Sequence, residues 1–138
     1  MPIPVSAVNH IAREVEDVQK SLEFYRDVLG FRQVWRPDFE FEGAWLYNYG
    51  VMIHIIKGVP PERPGEISTR ADHVAFHTDD LPAVERYLQD RSIPYKKAFV
   101  PKSGVTQVFF HDPDGNHIEV ATYPAVRELE PAAAGAAR

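Results

Sequence analysis

Two stretches of this chain carry matching residues in matching order. Asn9-His10-Ile11-Ala12 lines up with Asp72-His73-Val74-Ala75, the two histidines standing 63 residues apart. The same offset brings Asp17 onto Asp80, Val18 onto Leu81 and Phe24 onto Tyr87. Farther on, Gly-Val-Met-Ile-His-Ile from Gly50 lies beside Gly-Asn-His-Ile-Glu-Val from Gly115, at an offset of 65 that sets His54 against Glu119. Only two residues of slack separate the first match from the last. A period of this kind means one supersecondary unit used twice, each copy leaving a face for something else to cover.

Each copy reads as strand, helix and three strands. In the first, residues 8–15 alternate as a strand does. Asp17 can cap a helix over 18–29, where Val18, Leu22, Tyr25 and Leu29 fall at helical spacing and Gly30 follows as a stop. Strands are then expected at 32–38, 44–49 and 51–57, punctuated by Gly43 and Gly50. The second copy predicts a strand at 72–78, a helix at 82–91 opened by Pro82, and strands at 95–100, 106–111 and 116–122. Asp112-Pro113-Asp114-Gly115 is a turn signal. The expected organisation is one domain over 1–138: a first module at roughly 8–57, a Pro- and Gly-rich linker at 58–70, a second module at roughly 71–122 and an Ala-rich tail at 123–138. The fold class is α+β, built from two βαβββ modules.

Composition removes several functions. A net charge of −5 with scattered Lys and Arg argues against nucleic acid as a partner. No apolar run approaches the roughly 20 residues that span a bilayer, so no membrane role is expected. Residues 1–7 show neither a basic nor an apolar leader segment, and the expected location is the cytoplasm. With no cysteine, there is no thiolate site and no Cys nucleophile, and any metal must be held by His and carboxylate.

Strand alternation says which residues can meet. His10, Ala12 and Glu14 share one face of their strand, and His73, Ala75 and His77 share one face of theirs. His54 lies opposite Ile53 and Ile55, and Glu119 opposite Ile118 and Val120. If the aliphatic faces pack on the two helices, four ligand-type residues on four strands project into one cup. His10, His54, His73 and Glu119 are therefore the expected ligands of one divalent metal ion. Three imidazoles and a carboxylate suit Zn, Ni, Fe(II) or Co better than Mg or Ca. Four side-chain ligands leave room for a substrate oxygen and so for Lewis-acid polarisation.

A single strand histidine is more often packed or hydrogen-bonded than a ligand. The repeat is what lifts His10, His73 and Glu119 above that, and it lifts His54 less, since its counterpart is not another His. His77 is expected at the core or rim, His111 in solvent beside the turn, His117 at a pocket entrance and Glu14 on the rim of the cup. Arg13, Arg36 and Lys57 are candidates for a substrate carboxylate, against the plainer reading of solvated ion pairs.

The segments NHIAREVEDVQKSLEFYRDVLGF, FEGAWLYNYGVMIHIIKG, DHVAFHTDD and FFHDPDGNHIEV resemble the vicinal-oxygen-chelate superfamily, which includes glyoxalase I, fosfomycin-modifying transferases and extradiol dioxygenases. The resemblance runs from Asn9 to Val120 and implies paired βαβββ modules in an open mixed-sheet barrel around a metal site, with ligands at His10, His54, His73 and Glu119. It also implies a homodimer in which the metal site can draw on both chains, and a small-molecule substrate.

The chain is most similar to small glyoxalase-like members. The resemblance implies metal-dependent lyase or isomerase chemistry on a substrate carbonyl or enediolate, with Glu119 as base as well as ligand. His54 departs from the pattern, standing where glyoxalase I proteins carry Glu or Gln. The second reading is an Fe(II) dioxygenase, since His10, His73 and Glu119 alone make a two-His, one-carboxylate triad. The third is a non-enzymatic binding or resistance protein with an aromatic groove, for which Trp35, Trp45, Tyr47, Phe109 and Phe110 are the candidates.

Overall fold

The structure is a computed structural model that describes residues 1–129. Its strands fall into two four-stranded sheets and not into one closed barrel. The chain divides into two compact units, Met1–Pro64 with Asp112–Gly115, and Gly65–His111 with the described residues from Asn116 onward. The division falls inside the Pro-rich stretch 58–70. Among the described residues, no helix is long and apolar enough to cross a membrane.

The first unit runs β1 (His10–Val15), α1 (Val18–Glu23), β2 (Arg32–Val34), β3 (Gly43–Asn48) and β4 (Val51–Lys57). The sheet order is β1-β4-β3-β2, with β1 parallel to β4 and the other pairs antiparallel. Asp17 caps α1, its side chain accepting from the Lys20 N–H at 3.1 Å. The helix covers the expected span in two forms. Six α-helical residues give way to a wider π-helical segment, Phe24–Val28, in which the Leu29 N–H donates to the Phe24 carbonyl five residues back. Tyr25 lies in that segment, buried, and donates to Asp112 at 2.6 Å. Gly30 then ends the helix at φ +80°, a left-handed conformation that favours glycine.

β2 is shorter than the expected 32–38. Pro37 has no N–H for a ladder, and Arg36 turns its guanidinium onto the Phe41 carbonyl (2.9 Å) and over the rings of Phe39 and Phe41. β4 has the bounds that the sequence predicts. Val15, Leu46, Ile53 and Ile55 are buried with Leu22 and Tyr25 as the core of this unit.

The second unit repeats the plan as β5 (His73–His77), α2 (Leu81–Asp90), β6 (Lys96–Val100), β7 (Val105–His111) and β8 (His117–Ala121), in sheet order β5-β8-β7-β6. Asp80 caps α2 by accepting from the Ala83 N–H at 3.1 Å, with Pro82 in the first turn. Leu88, Val108, Phe109, Phe110 and Ile118 form its core. The turn between β7 and β8 is closed by the Gly115 N–H on the Asp112 carbonyl at 3.1 Å. Beyond Pro124, where only a tail is expected, residues 126–129 take helical backbone. The rest of the tail lies outside the described residues.

Candidate metal centre

In the first unit, parallel pairing sets Ala12 beside His54 and His10 beside Met52, so the two histidines are diagonal neighbours on one face. Their rings stack at 3.8 Å between centroids and 11° between planes. On the other side β3 places Trp45 directly across from His54, with ring centroids 4.1 Å apart and planes 5° apart. The His54 imidazole is thus held between two flat rings. Burial, then the nearby charges of His10 and Arg36, lower its pKa from 6.5, which favours the neutral form that a metal requires. Nε2 of His54 lies 3.1 Å from the weakly accepting Met52 sulfur. His10 has a firmer tether, Nδ1 donating to Asn9 Oδ1 at 2.8 Å and leaving Nε2 as the lone-pair nitrogen.

In the second unit Ala75 pairs with Glu119 and His73 with His117, the same diagonal relation. Here Nδ1 of His73 donates to the Ala71 carbonyl at 2.7 Å, which directs the Nε2 lone pair outward. Nε2 stands 3.9 Å from Oε1 of Glu119. Glu119 is only 2 % exposed, and among the described residues no Lys or Arg forms an ion pair with it. Its other oxygen, Oε2, accepts from the Tyr123 hydroxyl at 2.9 Å, and that hydroxyl accepts from Gln107 Nε2 at 2.8 Å. Burial raises the Tyr123 pKa from 10.0; the Gln107 amide offsets part of this and the Glu119 carboxylate adds to it, so the phenol keeps its proton.

Each unit therefore brings together two of the four expected ligands. Within either unit, no third His, Cys, Asp or Glu joins the pair among the described residues. The donors suit a first-row divalent ion. Two ligands held at 2.0–2.2 Å from one ion lie at most about 4.3 Å apart, and the 3.9 Å between His73 and Glu119 falls inside that limit. A buried carboxylate without a cation is also costly, and a divalent ion would supply the missing charge. The first pair fits less directly. Parallel stacked rings must splay before both lone pairs reach one ion.

The other candidates resolve one by one. Arg13 shares the inner face of β1 with Val15 and reaches the Tyr25 hydroxyl, so it is not aimed at the His10 face. Lys57 donates to the Glu16 carbonyl, and Glu14 accepts from the Val59 N–H at 3.0 Å. His77 pairs with Asp79 at 2.9 Å and accepts from the Tyr123 N–H. His117, expected at a pocket entrance, is buried, its Nε2 accepting from the Ser68 N–H at 2.9 Å. His111, expected in solvent, is half-buried with Nε2 3.1 Å from that same nitrogen. Of the aromatics, Trp45 stacks on His54, Phe109 meets the His73 ring edge-on, Phe110 is core, and Trp35 is exposed. The sequence reading missed Tyr123 and Gln107. Extending the face rule along β8 by two more residue pairs would have found Tyr123, four residues beyond Glu119.

A family profile described as the Glyoxalase/Bleomycin resistance protein/Dioxygenase superfamily matches residues 7–120. A protein of Arabidopsis thaliana named Glyoxylase I 4 is 37% identical over 125 residues, covering 86% of this chain and 72% of that one. Metallothiol transferase FosB of Staphylococcus epidermidis is 28% identical over 134 residues, covering 86% and 84%. Among solved structures, a mutant of the fosfomycin resistance protein FosX of Listeria monocytogenes, complexed with Mn(II), has the same fold. Its TM-score is 0.77 at 15% identity, over 91% of this chain and 98% of that one.

Proposed function

On the premise that this chain belongs to the Glyoxalase/Bleomycin resistance protein/Dioxygenase superfamily, we propose that it is a metal-dependent glyoxalase-like lyase or isomerase acting on a small carbonyl substrate. His10, His54, His73 and Glu119 hold one divalent ion, Zn, Ni, Fe(II) or Co. The observation that carries this reading is Glu119, a buried carboxylate with one oxygen held by Tyr123 and the other turned toward a tethered imidazole. The Arabidopsis relative named Glyoxylase I 4 supports the choice of activity.

The ion, when bound, polarises a substrate oxygen as a Lewis acid. The chain's own residues do the rest. His73 and His10, each tethered through Nδ1, offer Nε2 in a fixed direction. Glu119 takes a proton from the carbon beside the carbonyl and returns it to the neighbouring carbon. With His54 in place of a second carboxylate, proton transfer is confined to the Glu119 side of the substrate. On the family resemblance we also assign a homodimer as the working form, to be read from the mass in solution.

The test is elemental analysis of the purified protein, followed by loss of the hemithioacetal of an α-ketoaldehyde and a thiol. About one first-row ion per chain with metal-dependent turnover is the expected result. A metal-loaded protein that leaves the hemithioacetal untouched but adds a thiol to fosfomycin would install a different reading, a metallothiol transferase, which the Staphylococcus relative favours. Oxygen uptake with a catechol under Fe(II) would point to a dioxygenase instead.

A further inference from the structure

The Gln107–Tyr123 pair has no equivalent in the first copy. Gln107 pairs with Ala121 across β7 and β8, which sets its amide midway between Glu119 and Tyr123 on one face of the sheet. In the first copy the matching place in the ladder is Gly43, paired with Ile56, and the residue 65 before Tyr123 is Gly58. Neither glycine could be replaced freely. A Cβ on Gly43 would come within 2.4 Å of the Ile55 carbonyl, and one on Gly58 within 2.1 Å of the Glu14 carboxylate. The two side chains are thus present only where the repeat carries a carboxylate; where it carries an imidazole, a side chain at Gly43 is blocked by backbone and one at Gly58 would have to displace the Glu14 side chain.

The hydrogen-bond chain has a direction. An amide NH2 can only donate, so Gln107 Nε2 uses the acceptor side of the Tyr123 hydroxyl at 2.8 Å. The one hydroxyl proton is then left for Oε2 of Glu119, at 2.9 Å. The last torsion of a Glu side chain is broad and two-fold, and burial alone does not choose its plane. A donor fixed on Oε2 does choose it, and it leaves Oε1 as the oxygen 3.9 Å from His73 Nε2. The imidazole in the same place in the first copy has its plane fixed another way, by stacking between Trp45 and His10.

We infer that Tyr123, held in turn by Gln107, is a positioning residue that fixes the Glu119 carboxylate so that Oε1 alone faces the metal. This rests on the proposed ligand role of Glu119. Partners of metal ligands that act at one remove are worth about 10–100-fold in affinity.

The test is a Co(II) titration of the metal-free protein, followed by visible absorbance, with Tyr123→Phe, Gln107→Leu and Glu119→Gln beside wild type. Tyr123→Phe keeps the ring and removes only the hydroxyl. The expected result is Co(II) binding weakened about 10–100-fold with an altered absorption band, while melting of the metal-free protein stays as in wild type. Gln107→Leu weakens binding by less. Wild-type affinity in Tyr123→Phe, with binding lost in Glu119→Gln, overturns the positioning role and leaves the ligand assignment standing. Wild-type affinity in Glu119→Gln removes both. Should Tyr123→Phe melt early without metal, Gln107→Leu decides, weakened binding supporting the inference and unchanged binding ending it.

Discussion

In the first copy β4 carries His54, half-exposed, between the buried Ile53 and Ile55; in the second, β8 is buried at every position from His117 to Ala121. The backbone plan is the same and the pairing register is the same. The difference follows from what each strand must present. A neutral imidazole tolerates partial burial against aromatic rings, and His54 is kept in place by Trp45 and His10. A carboxylate loses far more on leaving water, so Glu119 is satisfied by Tyr123, two residues past the end of β8, which is held in turn by Gln107 on β7. One unit used twice has been fitted with two solutions to the problem of holding a ligand.

Several changes would break or sharpen this contrast. The largest expected effect is on metal content. His73→Ala and Glu119→Ala should each leave the protein without a stoichiometric ion, whereas His54→Ala should bind more weakly yet still bind, because its ring must leave a stack to ligate. Equal loss in all three, read by elemental analysis after dialysis, would erase the asymmetry.

Next come the two helices. Tyr25 and Leu88 occupy the same place in the repeat, and both are buried. Leu88→Ala should cost about 3 kcal/mol as a core truncation. Tyr25→Phe should cost about 2 kcal/mol, because it leaves the buried Asp112 carboxylate without its hydroxyl donor. Urea unfolding compares them, and a neutral Tyr25→Phe would show that the Asp112 bond contributes nothing.

A smaller effect lies in pH. The His54 pKa is lowered in the folded chain, so its contribution to stability is complete above about pH 6.5 and is lost as pH falls below that value. Tyr25 acts at the other end. Burial first, then Asp112, hold its pKa well above 10.0, so its contribution is complete below pH 10 and is lost as pH rises above it. In Trp45→Ala the His54 ring gains water, and its NMR titration should move back up toward 6.5. A titration that stays put would assign the shift to His10 and Arg36 instead. The smallest effect expected is in His111→Ala, with metal content unchanged.

Much of this was readable from the residues. Order and type of the elements came from the repeat, and the caps at Asp17 and Asp80 came from short polar side chains placed before apolar periodicity. Strand alternation was enough to bring His10 to His54 and His73 to Glu119. What alternation cannot supply is which neighbour a side chain chooses. Arg13 turns to Tyr25, and His117 takes a backbone N–H from Ser68, 49 residues away. The π-helical turn was equally hidden, since i+5 bonding leaves no mark on the spacing of Val18, Leu22 and Tyr25. The shortness of β2 was only half hidden, because Pro37 was in view.

Asp112–Gly115 lies in the sequence of the second repeat yet belongs to the first unit, where Asp112 receives Tyr25 and Asp114 takes the Glu16 N–H at 3.2 Å. A gene cut at the repeat boundary would therefore not yield two finished parts. The fragment ending at Pro64 would lack four of its own residues, and the remainder would carry a hairpin tip made for something else. Duplicated units that exchange so short a piece become difficult to separate again, and a split version of this protein should regain its structure only when both fragments are supplied together.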